Sequence, residues 1–186
     1  MDAALYKIAA RACKEVYDDN IDLGTTEYQS WVRIWKGNPI QVLAIAGTNE
    51  LADWWKNFNV LSWKGIKYPA LKAAEEVNAD FGRIQELPLL VCGHSKAGAT
   101  AIAYKRIFGA DFCIAFAPAR SLRYWTDRNM DDTAVFIDPD DPVSKVACIS
   151  FGHPICTTKE AKRDHILPWV SDHFMARWID FTESMA

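Results

Sequence analysis

Residues 87 to 108 read LPLLVCGHSKAGATAIAYKRIF, and the order of residue types along them decides the fold. The apolar run from Leu87 to Cys92 has the length of a buried parallel strand. It meets a turn of small residues, Gly93-His94-Ser95-Lys96-Ala97-Gly98, and then an alanine-rich helical segment. A strand entering a tight turn that opens a helix is the setting of a nucleophile elbow, in which a Ser stands at the crest of a strained turn. The residues around it must be small for strand and helix to approach, and Gly93, Ala97 and Gly98 are. Ala97 stands where G-x-S-x-G has its second Gly. The competing reading makes Ser95 an ordinary helix N-cap, a position Ser favours.

Upstream, Leu5, Ile8, Ala9, Ala12 and Val16 recur on one face, which predicts an amphipathic helix from Asp2 to Asp18. A loop follows to Thr26. Gln29 to Lys36 and Ile40 to Ala46 are β-rich runs around Gly37-Asn38-Pro39, so an antiparallel hairpin is expected. The stretch NELADWWKNFNVLSWKG keeps no strict period and reads as a short helix followed by an aromatic-rich loop. Leu71, Ala74, Val77 and Phe81 then share a helical face, with Gly82 closing that helix.

Downstream, Ala110 to Ala117 predicts a strand that Pro118 stops, and Ala119 to Asn129 a helix carrying Leu122, Tyr124 and Trp125. Thr133 to Ile137 and Val146 to Phe151 predict two more strands, the second being the last clear one. Between them, Asp138-Pro139-Asp140-Asp141-Pro142 is an acidic turn. A polar stretch from Thr157 to Asp164 leads to a final helix, from Phe174 through Trp178 and Ile179, capped by Ser171. Strands alternating with helices predict one α/β domain over the whole chain, with a mostly parallel sheet covered on both faces.

Composition narrows the function. Lys and Arg number 21 against 24 Asp and Glu, with no long run of either sign, which speaks against a nucleic-acid partner. No segment reaches the run of about eighteen apolar residues that marks a transmembrane helix. The first residues lack the basic region and continuous apolar core of an export signal. The five Cys are odd in number without metal-type spacing, and Cys92, Cys113 and Cys148 sit in apolar runs. Buried reduced thiols, a cytoplasmic location and no metal held by these Cys are the expectation.

A Ser hydroxyl attacks a carbonyl only when an imidazole takes its proton and a carboxylate orients that imidazole. On sheets of this kind the chain order is Ser, then an acid after a later strand, then His. Ser95, Asp141 and His173 fit that order. Asp138 and Asp140 share the acidic turn with Asp141, and Asp138 is the second choice; the same loop could also be only a turn, or could hold a hard cation such as calcium. His165 competes with His173 as base. His94 adjoins the nucleophile and must point elsewhere, and His153 follows a strand in Gly152-His153-Pro154. An oxyanion hole needs two backbone N–H groups, for which Lys96, next to the nucleophile, and Thr48, at the end of an earlier strand, are the candidates.

Ile45-Ala46-Gly47-Thr48, then Asp53-Trp54, Lys64-Gly65, the elbow through Ala99, Asp141-Pro142-Val143 and Gly152-His153-Pro154 together resemble the class 3 lipase family of α/β-hydrolases. The resemblance is closest from Val42 to Val143. It implies an α/β-hydrolase fold, Ser95 as nucleophile, Asp141 as acid, and Thr48 with Lys96 as the oxyanion hole. His173-Phe174-Met175 followed by Trp178 resembles the family's terminal segment, which carries the catalytic His. Three features depart from the pattern: Ala46 stands where Arg is frequent, Lys96 where Leu is usual, and the chain is shorter than typical secreted members, leaving little room for a large lid.

The resemblance implies hydrolysis of carboxylic esters or acylglycerols through an acyl-enzyme, without a cofactor. Trp54, Trp55, Phe58 and Trp63 follow the oxyanion strand, so they are expected either in the core or around the acyl pocket of a small-molecule ester or lipid substrate, with transient contact to a lipid surface. A thioesterase, amidase or acyltransferase would use the same triad. A binding module that keeps the fold without catalysis is the reading from another class.

Overall fold

The computed structural model describes residues 1–18, 27–46, 62–63, 66–123, 129–137, 151–152, 155–160 and 175–185. In chain order the elements are α1 (Ala3–Asp18), β1 (Tyr28–Trp35), β2 (Asn38–Ile45), β3 (Ser62–Trp63), β4 (Ile66–Lys67), α2 (Tyr68–Asp80) and β5 (Leu89–His94). They continue with α3 (Lys96–Phe108), β6 (Phe112–Phe116), β7 (Leu122–Arg123), β8 (Asn129–Ile137), β9 (Phe151–Gly152), β10 (Ile155–Glu160) and α4 (Met175–Glu183).

The main sheet runs β1-β2-β5-β6-β8-β10, antiparallel only between β1 and β2. Its inner strands are buried on both faces, which is why they read as unbroken apolar runs. Successive residues nonetheless divide between two cores. Ile40, Val42, Ala44, Leu90, Cys92, Ile114, Phe116 and Phe136 meet α1 and α4. Leu43, Ile45, Leu89, Val91, Cys113, Ala115 and Val135 meet α2 and α3 on the other side. The expected layering of helices on both faces of a mostly parallel sheet is therefore present.

Aromatic packing closes the α1/α4 side. Phe116 and Phe136 lie 4.9 Å apart between ring centroids, and Trp178 of α4, fully buried, stands edge-on to Phe136 at 6.2 Å. Burying a ring of this size contributes on the order of 2–3 kcal/mol. At the surface Lys7 and Arg11 of α1 both reach Glu183 of α4. Such exposed pairs add little, about 0–1 kcal/mol each, so the packed aromatics hold the two helices together.

Four boundaries differ from the sequence reading. The hairpin turns at Lys36-Gly37, both at positive φ (51° and 79°), and not at Gly37-Asn38-Pro39. A two-residue turn with positive φ at both positions matches the twist of the flanking strands, and Asn38 and Pro39 then belong to β2. The helix α2 ends in an extended Phe81 whose N–H bonds to the Val77 carbonyl, so Gly82 supplies no left-handed cap.

The helix expected over 119–129 is overturned over 119–123, where β7 joins a second small sheet in the order β3-β4-β7-β9. Residues 124–128, with Tyr124 and Trp125, and 146–150 of the strand expected from Val146 lie outside the described residues. Pairing in the small sheet is antiparallel, Ile66 with Leu122 and Leu122 with Gly152, and Lys67 N–H also bonds to the Ser121 carbonyl at 2.8 Å. Leu122 is buried while Arg123 is half-buried, an alternation that suits a strand. Finally, Ile155–Glu160 forms β10, parallel to β8 with Thr157 beside Ala134 and Glu160 beside Ile137. As the outermost strand of the sheet it can carry the polar residues that made this stretch read as a connection.

Candidate active site

The three strands β5, β6 and β8 run parallel and in step, so their C-terminal ends form one edge. His94 is level with Phe116, and Phe116 with Phe136. At this edge β5 turns into α3 through Ser95, whose backbone is held at φ 59°, ψ −125°. A non-glycine residue there costs roughly 1–3 kcal/mol and persists only where its surroundings impose it. They do so here. Ser95 N–H bonds to the Phe116 carbonyl at 2.9 Å, and the Ser95 carbonyl accepts from Ala99 N–H in the first turn of α3.

The small residues are explained by distance. A Cβ on Gly93 would stand 2.4 Å from the Ala97 carbonyl oxygen and 2.9 Å from Gly98 N, both backbone atoms. A Cβ on Gly98 would stand 3.0 Å from the Pro118 Cβ and 3.2 Å from the Gly93 carbonyl oxygen. Ala97, by contrast, turns its methyl group into the core shared by α2 and α3, where it is buried. The departure from G-x-S-x-G at this position therefore leaves the turn intact, because close approach is demanded of Gly93 and Gly98.

The N-cap reading of Ser95 fails on a specific point. Its side chain makes no capping hydrogen bond, although its backbone occupies the cap position. The hydroxyl is thus not spent on α3. Ser95 is nearly enclosed, at 5 % exposure. As the first residue of α3, Lys96 carries one of the N–H groups that a helix leaves without an intrahelical acceptor, at the positive end of the helix dipole. Its side chain is half-buried.

Helix α1 backs the elbow, a role the sequence reading did not give it. Cys13 and Tyr17, one turn apart, face Cys92 and His94, two residues apart on β5. Tyr17 Oη and His94 Nδ1 are 3.2 Å apart, with their rings edge-on at 5.7 Å. His94 therefore points towards α1, away from the elbow, as adjacency to the nucleophile requires. A hydrogen bond with Cys13, together with burial, pushes the Cys92 thiol well above its ordinary pKa. A thiol held protonated is no nucleophile, so Ser95 has no competitor in the residue three positions before it. Cys13, Cys92 and Cys113 are all buried.

Of the residues singled out from the sequence, Ser95 and Lys96 come together at the elbow. Thr48, Asp138, Asp140, Asp141, His153, His165, His173, Trp54, Trp55 and Phe58 lie outside the described residues, as do Ser171 and Cys148. Trp63 is described only as part of β3. What the structure adds are Phe116, whose carbonyl holds the Ser95 N–H, Pro118, which packs on Gly98, and Tyr17. Pro118 could have been noticed from the sequence as the residue that stops the next strand beside the elbow. Among the described residues no group of His, Cys, Asp and Glu is arranged to hold a metal ion, and no helix is long and apolar enough to cross a membrane.

A mixed, mostly parallel sheet with a Ser elbow at its carboxyl edge is the α/β-hydrolase architecture, and solved structures share it with this chain. The Lip2 lipase of Yarrowia lipolytica superposes with a TM-score of 0.59 at 11 % identity, over 89 % of this chain and 80 % of that one. A Rhizomucor miehei lipase in complex with its propeptide gives a TM-score of 0.56 at 14 % identity, over 86 % of this chain and 66 % of that one. The chain thus spans just under two thirds of the Rhizomucor protein. At these identities what is shared is the fold, the one the class 3 lipase resemblance implies. No protein-family model matches the chain, and no curated protein sequence matches it either.

Proposed function

We propose that the chain is a serine hydrolase that cleaves carboxylic esters through an acyl-enzyme formed at Ser95. The observation that carries this reading is the backbone of Ser95, held at φ 59°, ψ −125° with its side chain unused as a helix cap. Strain of this kind has a use where it presents a hydroxyl to a substrate. The lipase fold of the structural neighbours supports the same class of chemistry.

In this reading Ser95 Oγ attacks the ester carbonyl while His173 takes its proton and Asp141 orients the imidazole. The oxyanion is held by the N–H groups of Lys96 and Thr48, the first aided by the dipole of α3. The alcohol leaves with the proton from His173. Water then attacks the acyl-enzyme by the same route in reverse. Thr48 and Asp141 follow β2 and β8, and both strands end at the edge where Ser95 stands: Ile45 is level with Gly93, and Ile137 follows Phe136. The apolar residues Trp54, Trp55, Phe58 and Trp63 would line the acyl pocket, favouring lipid-like acyl chains.

The test is hydrolysis of a panel of esters of rising acyl length by the purified protein and by Ser95→Ala. The reading expects turnover of at least one ester, loss of nearly all of it in Ser95→Ala, and a loss on the order of 10⁴ in kcat for Asp141→Asn. Turnover retained in Ser95→Ala would remove Ser95 from the mechanism. Exchanging His165 and His173 for Ala in turn identifies the base, which is expected to be His173.

A further inference from the structure

Among the described residues the largest apolar side chains left in water are Val32, 49 % exposed, and Ile34, 66 % exposed, with Ile84 third at 39 %. The first two sit on one strand. β1 ends the main sheet, eight residues long, with no described strand on its far side. Long apolar edges are templates for further pairing, and proteins ordinarily guard them with charge, Pro or a bulge.

The backbone shows which groups are left over. Ala46 N–H bonds to the Glu27 carbonyl at 2.8 Å, so Glu27 opposes Ala46 in a hydrogen-bonded pair. In an antiparallel ladder such pairs alternate. Residues 29, 31, 33 and 35 therefore spend their N–H and C=O groups on β2, and Ser30, Val32 and Ile34 aim theirs outward. The exposed side chains and the outward backbone groups belong to the same residues.

Charge near this edge is compensated. Arg33 is tied to Glu15 of α1 at 2.5 Å and Lys36 to Asp2, just before α1, at 2.8 Å, so each of these cations is matched by a carboxylate. Pro39, which could blunt an edge, lies on β2 inside the sheet.

We propose that β1 is a homodimer interface, pairing antiparallel with β1 of a second copy of this chain about a twofold axis at Val32, so that the two main sheets run on as one. In that register Val32 faces the partner's Val32, Ser30 faces the partner's Ile34, and each of these pairs exchanges two of the outward hydrogen bonds. On the other face Trp31 meets the partner's Arg33, a cation–aromatic contact that Arg33 already makes with its own Trp31 at 5.2 Å. Shifting the axis to Arg33 would set two guanidinium groups against each other, which disfavours that register. An isologous contact of this kind closes on itself and stops at two copies.

Sedimentation velocity across a concentration series tests the proposal. The chain is expected to sediment as a species of twice 21.0 kDa that dissociates on dilution. Val32→Pro removes an N–H that β2 does not use, and Val32→Lys sets two like charges across the axis. Both are expected to give monomer with an unchanged circular dichroism spectrum, whereas Val32→Thr keeps the dimer. If Val32→Pro does not fold, Val32→Lys and Ile34→Lys carry the test. A wild-type chain that is monomeric at every concentration, one that forms open-ended aggregates, or a dimer indifferent to Val32→Lys would each overturn it.

Discussion

Four described non-glycine residues have a positive φ, Lys36, Ser95, Ala117 and Asp132, and the first two sit in turns with opposite surroundings. Lys36, at φ 51°, sits in the exposed β1–β2 hairpin beside Gly37, where an added Cβ would meet nothing within 4 Å. Ser95, at φ 59°, sits in a turn so crowded that an added Cβ at Gly93 would collide with backbone at 2.4 Å. The first conformation reverses the chain in open space. The second is enforced from three sides, by the Phe116 carbonyl, by Pro118 and by α1 behind β5. Similar φ angles therefore carry different meanings: at Lys36 the angle serves the topology, and at Ser95 it is imposed by the packing around the turn.

The largest expected effect tests that crowding. Gly93→Ala has only rigid backbone to push against, so it should cost about 3 kcal/mol or more and take the elbow with it. Gly98→Ala meets the Pro118 Cβ at 3.0 Å and the Gly93 carbonyl oxygen at 3.2 Å, so its neighbours must give by a few tenths of an ångström. A loss of about 1–3 kcal/mol is expected there, read from denaturant midpoints. Gly37→Ala in the open turn has only its φ of 79° against it and should cost about 1 kcal/mol. Equal costs at Gly93 and Gly37 would dissolve the contrast between the two turns.

A gain should come from relieving the strain itself. Ser95→Gly and Lys36→Gly both free a positive φ, and each is expected to raise stability by about 1 kcal/mol, a Tm change of roughly 2–4 °C at this size. Only the first should abolish activity. The smallest effect belongs to the end of α1. The Asp2 carboxyl is lowered from 3.8 to about 2, chiefly by its hydrogen bond with Lys36 and also by those from Trp35 Nε1 and Leu5 N–H. A carboxyl whose pKa falls on folding stabilises the protein above its unfolded value and loses that contribution as pH drops towards 2. Asp2→Asn should therefore cost under about 1 kcal/mol at neutral pH, with the difference from wild type fading in acid. A difference that grew on acidification would contradict the assignment.

What the sequence disclosed, and what it hid, follows from the same physics. The elbow was legible because close approach of β5 and α3 tolerates only small residues, and Gly93 and Gly98 announce it locally. The buried strands were legible because two-sided burial leaves no polar positions in LLVC or CIAF. The small sheet was not: β7 and β9 are two residues each and exist only through partners far along the chain, so Leu122 and Arg123 carry no periodic signal of their own. β10 hid for a related reason, since an outer strand can be as polar as a loop. The hairpin was found and its turn misplaced by one residue, because Pro39 looks like a turn residue and is in fact the second residue of β2. At the site, the role of α1 rests on a contact between Tyr17 and His94 that spans 77 residues of sequence, a separation at which residue spacing says nothing.

Activation of Ser95 as a nucleophile is the proposal on which the mechanism depends. Its most direct test is labelling the folded protein with a fluorophosphonate, which phosphonylates an activated Ser with loss of fluoride, and mapping the adduct by mass spectrometry. A single adduct on Ser95 is expected, absent after denaturation and absent in His173→Ala. A folded protein that takes no label, or takes it on another residue, would contradict it.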